Sequence, residues 1–147
     1  MKHSIFLILV GLLGWCTGCT RTSDFYPHSM RMAIGYMEHR PDSALMLLQN
    51  MADSLEGLPE ETRMYYQLLT LQAEDLQYLM HTDDSLVTTL VQYYEVKGDE
   101  CKKVQAYYLM GKVYISMDDA PQALKAFRQA LDIPSIGQEM KERIYND

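Results

Sequence analysis

The residues best suited to acid–base or metal chemistry are adjacent carboxylate pairs and isolated histidines. The pairs are Glu60-Glu61, Asp83-Asp84 and Asp118-Asp119, and the histidines beyond the N-terminal segment are His28, His39 and His81. Neighbouring residues on a helix do not face each other, and each pair stands at a predicted helix start, where carboxylates cap backbone amides. The sequence contains no H-E-x-x-H, no G-x-S-x-G and no glycine-rich phosphate loop. We therefore expect no enzyme activity, no catalytic residue, no metal site and no cofactor.

The first residues are typical of an export signal. Lys2 and His3 precede an apolar run over residues 5–13, and small or polar residues follow it. The run is shorter than the roughly 18 apolar residues that a membrane-spanning helix needs. An ordinary secretory signal and an uncleaved signal anchor both remain compatible with this pattern.

The sequence after the apolar run is Trp15-Cys16-Thr17-Gly18-Cys19. It resembles the lipobox of bacterial lipoproteins, in which a small residue precedes a cysteine that is lipidated and begins the mature chain. Cys16 is the departure, because the family usually has Leu at that position. The resemblance implies a signal peptide over 1–18, lipidation of Cys19, and a polar tether over 19–27. It also implies attachment to a membrane of the cell envelope, on the periplasmic side or at the outer membrane.

Composition describes an ordinary globular chain. Its 147 residues fit one domain, with 48% apolar and 22% charged residues. The net charge of −7 has the wrong sign for a surface that follows phosphates. Nucleic acid is therefore not expected as a partner.

Apolar residues recur at helical spacing in about six segments. The segments are 28–39, 42–56, 60–80, 84–97, 101–117 and 120–132. Segment 60–80 is apolar on more than one face, so we expect neighbours on both of its sides. No run of alternating β-branched residues indicates a strand. The sequence predicts an all-α fold.

Three tyrosine pairs stand within these segments, namely Tyr65-Tyr66, Tyr93-Tyr94 and Tyr107-Tyr108. Consecutive helix residues point about 100° apart. One tyrosine of a pair can therefore enter the core while the other lines a groove.

The predicted helices form pairs that recur about every 40 residues. The second helices begin similarly, which places Ala44, Ser85 and Ala123 in register. The last pair resembles the tetratricopeptide repeat (TPR) at nearly every signature position: Tyr107, Met110, Gly111, Tyr114, Ala123, Phe127 and Ala130. Small Gly111 and Ala123 let the two helices approach closely, and the aromatic rings fill the space between successive hairpins.

The TPR resemblance covers 28–137 and implies an α-solenoid of about three antiparallel helical hairpins. In TPR proteins the first helices build a concave face that binds extended peptides. Carried onto the last repeat, that face would contain Gln105, Tyr108, Lys112 and Ile115. We therefore expect a non-catalytic, lipid-anchored module that binds a protein or peptide.

Residues 138–147 are predicted to open a further first helix, which would be the start of a truncated repeat. Two alternatives follow from this reading. The chain is the sensor half of a truncated TPR transcriptional regulator, or it is an assembly subunit whose unfinished repeat associates with itself or with another chain.

Overall fold

The computed structural model of the protein describes residues 25–147. Over this range it contains seven α-helices and no strand, which confirms the all-α prediction. The helices are α1 (His28–Tyr36), α2 (Pro41–Gln49), α3 (Glu60–Asp75), α4 (Ser85–Lys97), α5 (Glu100–Ser116), α6 (Ala120–Leu131) and α7 (Gln138–Asn146). The predicted signal 1–18, Cys19 and most of the 19–27 tether lie outside the described residues. None of the helices in 25–147 combines the length and the apolar character needed to cross a membrane.

Helices α1, α2 and α3 are shorter than predicted. After α1 and α2, apolar residues beyond the helix end pack onto the core, whereas Tyr78 and Met80 after α3 are exposed. After α2 the chain forms a short 3₁₀ turn over Ala52–Ser54 and then reverses at Gly57, whose φ of 88° suits glycine. Leu55 and Leu58 in this connection pack against buried residues. Apolar periodicity alone therefore extended the predicted segment 42–56 past the end of the helix.

The end of α3 has a defined geometry. Tyr78 adopts a left-handed φ of 57°, its N–H donates to the Asp75 carbonyl at 2.9 Å, and the Leu79 N–H donates to the Glu74 carbonyl at 3.1 Å. These two bonds form a Schellman motif, in which glycine usually occupies the left-handed position. Helix α3 therefore ends before residue 80.

The acidic pairs contribute to helix ends in different ways. Asp119 caps α6 by accepting from the Gln122 N–H, and Asp83 accepts from the Ser85 N–H at 2.9 Å. Asp118 does not cap α6: it takes a left-handed φ of 58° and terminates α5 instead. These contacts support the interpretation of the acidic pairs as features of helix ends.

Two clusters of buried side chains form the core. The N-terminal cluster contains Tyr26, Met30, Ala33, Met37, Ala44, Leu45, Leu48, Met51, Tyr66, Leu69 and Ala73. The C-terminal cluster contains residues of α3 to α7 and of the connection between α6 and α7. Helix α3 belongs to both, through Tyr66 and Leu69 on one side and Leu68 and Leu71 on the other. The expectation that segment 60–80 is covered on two faces is confirmed.

Residues of the predicted repeat signature join α5 to the helices before and after it. A Cβ atom on Gly111 would overlap the Phe127 ring, so only glycine permits this approach of α5 to α6. Tyr107 donates through its hydroxyl to Glu95, and the Tyr114 hydroxyl donates to Asp84 Oδ2 at 2.6 Å. Tyr107 therefore connects α5 to α4, and Tyr114 connects α5 to Asp84, the residue that precedes α4.

The middle helix pair has a different register from the predicted one. Buried residues of α4 repeat the spacing of those in α6, with Val87, Val91 and Tyr94 matching Ala123, Phe127 and Ala130. Ser85, which the sequence aligned with Ala123, is instead the exposed first residue of α4. The shift arises because the connection 76–84 is longer than the connections 37–40 and 117–119.

Candidate functional site

A cavity of about 660 Å³ lies between α1, α3 and α7. Its lining residues come from the end of α1 and the segment after it, from the middle and end of α3, and from α7: Ile34, Gly35, Met37, Glu38, His39, Tyr65, Leu69, Gln72, Leu76, Glu139 and Arg143. We call it the α1/α3/α7 cavity. It brings together helices that are far apart in the chain.

The lining of this cavity is both apolar and charged. Leu69 comes from α3, Leu76 directly follows it, and Ile34 is 38% exposed. On α7, Arg143 donates to Glu139 Oε1 at 2.9 Å, and this ion pair is partly exposed. The cavity can therefore hold apolar side chains and also recognise charge.

The tyrosine pair of α3 has one member in the core and one at the cavity, whereas both members of the Tyr107-Tyr108 pair are buried. Tyr65 lines the cavity. Tyr66 is buried, and its hydroxyl donates to the Leu48 carbonyl at 3.2 Å. Tyr66 thus joins α3 to α2, while Tyr65 remains available to a ligand.

The four residues predicted to bind peptide do not line the α1/α3/α7 cavity. The Gln105 amide donates to Gln72 Oε1 at 2.5 Å, so Gln105 positions a residue that does line it. Tyr108 is buried, and Ile115 is partly exposed near the end of α5. Lys112 takes part in a charged group with Asp147 and Asp75.

That charged group joins α3, α5 and Asp147. Asp147 accepts from the Tyr108 hydroxyl at 2.9 Å and from Lys112 Nζ at 2.7 Å. Lys112 Nζ also lies 4.0 Å from Asp75 Oδ1. These contacts hold Asp147, at the end of α7, against α5. They thereby position the wall of the cavity that α7 provides.

Burial dominates the electrostatics of this charged group. It raises the pKa of the Asp75 carboxyl, with Lys112 opposing the shift and Asp147 adding to it. It also raises the pKa of the Tyr108 phenol, and the hydrogen bond to Asp147 adds to that effect. Both pKa shifts favour the protonated, uncharged form of the side chain. Lys112 supplies the positive charge that faces the Asp75 and Asp147 carboxylates.

The polar groups of the cavity can form hydrogen bonds and ion pairs with a ligand. They comprise an ion pair, the Glu38 carboxylate, the His39 imidazole, the Gln72 amide and the Tyr65 phenol. Over residues 25–147, no three His, Cys, Asp or Glu side chains lie close enough together to hold a metal ion. The arrangement can place a ligand through shape, hydrogen bonds and charge.

Sequence reasoning missed most of this lining. His39 was treated as an isolated histidine, and Arg143 and Glu139 belonged to a segment interpreted only as the start of another repeat. One available signal was the i, i+4 spacing of Glu139 and Arg143, which pairs their charges on one face of α7. Nothing in the local sequence placed that face opposite α1.

Comparisons of the chain with protein-family models, with curated proteins and with solved structures found no match.

Proposed function

We propose that this chain is a non-catalytic, TPR-like α-solenoid that binds an extended peptide segment of a partner protein. In this proposal α1, α3, α5 and α7 form the inner wall of the solenoid. A lipid on Cys19 holds the module at a membrane of the bacterial cell envelope.

The α1/α3/α7 cavity is the observation that carries the proposal. Its volume of about 660 Å³ falls within the range of roughly 300–1,000 Å³ that is usual for ligand sites. Leu69 and Leu76 offer apolar contact, and the Gln72 amide offers hydrogen bonds to a peptide backbone. The Arg143–Glu139 pair favours a ligand that places a charged side chain beside an apolar one.

Gly35 gives a direct test, because a Cβ atom built on it meets nothing within 4 Å. A phenylalanine at this position would project into the cavity without a clash at Cβ. Peptides selected from a displayed random library against the chain should bind Gly35→Phe at least about tenfold more weakly, a loss of about 1.4 kcal/mol. Fluorescence anisotropy of labelled peptides measures the affinities.

Gly35→Ala is the matched control, since it changes the same residue and fills little of the cavity. It should bind the selected peptides like the wild-type chain, and far-UV circular dichroism should show the same helix content in all three proteins. Peptides that bind Gly35→Phe as well as wild type would place the binding surface elsewhere. A library that yields no binder above background would contradict peptide binding.

The lipid anchor requires its own experiment. Several acyl chains on one cysteine hold a protein at a membrane because each buried methylene contributes ~0.8 kcal/mol. Metabolic labelling with an acyl precursor should label the chain, and Cys19→Ala should abolish the label. Cys16→Ala is the control and should keep it. Labelling that survives Cys19→Ala would reject Cys19 as the lipidation site.

A further inference from the structure

The charged residues of the α1/α3/α7 cavity come from two separate parts of the chain. Helix α7 contributes Glu139 and Arg143, and the segment that follows α1 contributes Glu38 and His39. The remaining lining is mostly apolar and comes from α1 and α3. A peptide bound in this cavity therefore meets both charged parts, and their net sign decides which peptide charge is favoured.

The positive charge of Arg143 is already engaged within the chain. Its guanidinium donates to Glu139 Oε1 at 2.9 Å. Burial raises the pKa of the nearby Asp75 carboxyl, and Arg143 is one of the cations that oppose this shift. An acidic group of a ligand would have to compete with these two carboxylates for Arg143.

The negative charge of Glu38 has no such partner. Its exposed side chain makes no hydrogen bond or ion pair within residues 25–147. Arg40, two residues further along, instead places its guanidinium 5.0 Å from the centre of the Tyr36 ring. Glu38 is therefore a carboxylate of the cavity that is available to a cation of a ligand.

Negative charge is in excess across the cavity and the charged group that adjoins it. The carboxylates are Glu38, Glu139, Asp75 and Asp147, and the cations are Arg143 and Lys112. Binding partners usually have complementary potentials, and like charges brought together oppose binding. A basic side chain would reduce this excess, whereas an acidic side chain would add to it.

We propose that the α1/α3/α7 cavity selects peptides in which a lysine or arginine stands beside an apolar residue, and that Glu38 determines this preference. The basic group of the peptide pairs with the Glu38 carboxylate, while its apolar neighbour contacts the leucines that line the cavity. This inference rests on the proposed function, because it names the class of peptide that the same cavity takes.

Selection of a displayed random library on the wild-type chain and on Glu38→Lys tests the proposal. Binding is measured at about pH 8, where histidine side chains ordinarily carry no charge. The wild-type chain should enrich Lys or Arg next to an apolar residue, and Glu38→Lys should lose that enrichment and favour Asp or Glu. A selected basic peptide should bind Glu38→Gln roughly fivefold more weakly, the upper range for one exposed ion pair, and added salt should reduce this difference.

Glu142→Gln and Glu142→Lys are the matched controls. Glu142 is an exposed carboxylate on α7 that does not line the cavity, and it accepts a hydrogen bond from Gln138. These variants change the net charge as the Glu38 variants do, and they should select and bind the same peptides as the wild-type chain. Far-UV circular dichroism should show the same helix content in all of them.

A change in the peptide completes the test. Exchanging its basic residue for glutamine should weaken binding to the wild-type chain by the same factor as Glu38→Gln. The same exchange should leave binding to Glu38→Gln nearly unchanged, because both changes remove one ion pair. If the two losses simply added, the basic residue would not pair with Glu38.

Other outcomes separate this inference from the proposed function. Selected peptides that lose affinity for Gly35→Phe but show no preference for basic residues would overturn the inference and leave peptide binding in the cavity standing. Glu142→Gln weakening binding as much as Glu38→Gln would show a general attraction to an acidic chain and would also overturn it. A library that yields no binder would overturn both.

Discussion

The two core clusters hold their helices together by different means. The N-terminal cluster buries three methionines, Met30, Met37 and Met51, and Tyr66 connects two of its helices through a hydrogen bond to the Leu48 carbonyl. In the C-terminal cluster, tyrosines of α5 donate hydrogen bonds to carboxylates at neighbouring helices, and Gly111 leaves room for the Phe127 ring. One half relies on adaptable packing and the other on directional contacts.

This difference has a consequence for binding. Methionine side chains repack at little cost, whereas phenol–carboxylate hydrogen bonds and a ring against a glycine require one arrangement. Met37 lines the α1/α3/α7 cavity, so one wall of that cavity belongs to the adaptable half. If the proposed peptide binds in this cavity, α1 is the helix expected to adjust while α5 and α6 keep their positions.

The largest expected effect comes from two helical glycines, one in each half. Gly111→Ala should lower the free energy of unfolding by about 1–3 kcal/mol, because the new methyl group overlaps the Phe127 ring. Gly35→Ala should raise it by up to about 1 kcal/mol, because its Cβ meets open space and alanine is the better helix former. Urea denaturation followed by circular dichroism measures both changes.

A double variant attributes the Gly111 effect to its cause. Phe127→Leu alone should destabilise the chain, and in combination with Gly111→Ala the total loss should be smaller than the two single losses added together. If Gly111→Ala were as stable as the wild type, or if the losses simply added, the contact between α5 and α6 would not be the constraint described above.

A smaller effect is expected from removing single phenol oxygens. Tyr114→Phe deletes the hydrogen bond to Asp84 and should lower the free energy of unfolding by about 1 kcal/mol. Tyr36, in the N-terminal half, packs beside the buried cluster, and its hydroxyl makes no hydrogen bond within the described residues. Tyr36→Phe should therefore be close to neutral in the same urea experiment. Equal losses in the two variants would remove the contrast between the halves.

Local patterns in the sequence predicted that each of these segments is an α-helix, and they predicted much of the core. Helical spacing is a property of short segments, so α5 and α6 were predicted to within a few residues of their ends. The end of α3 was not, because Tyr78 occupies a left-handed position that is usually marked by glycine. Without glycine at this position, no local signal in the sequence showed where α3 ends. The predicted alignment of Ser85 with Ala123 was wrong for the same reason.

The candidate site was less accessible to sequence reasoning than the fold. The predicted set, Gln105 to Ile115, was carried from a single repeat onto α5 alone. The cavity instead depends on how helices distant in the chain pack together, since that packing brings Arg143 of α7 and Ile34 of α1 to the same cavity. No single segment of the sequence encodes that packing.

The smallest expected effect is a pH dependence that the phenol–carboxylate bonds give to the C-terminal half. The hydrogen bond to Asp84, with burial and the charge of Asp84 adding to it, raises the pKa of Tyr114 to about 12 from an ordinary 10.0. Between these values the unfolded chain has lost the phenol proton while the folded chain keeps it. The folded state then binds more protons, so the free energy of unfolding must fall as pH rises through this interval.

Tyr114→Phe should make that alkaline loss of stability less steep, and Asp84→Asn should do the same, because the shift in the Tyr114 pKa begins with this carboxylate. Urea midpoints measured from neutral pH to above the ordinary tyrosine pKa of 10.0 give the slopes. A Tyr114→Phe curve that runs parallel to the wild-type curve would show that the bond does not favour the protonated phenol in solution. Tyr114 would then contribute only the packing of its ring to the contact between the end of α5 and the start of α4.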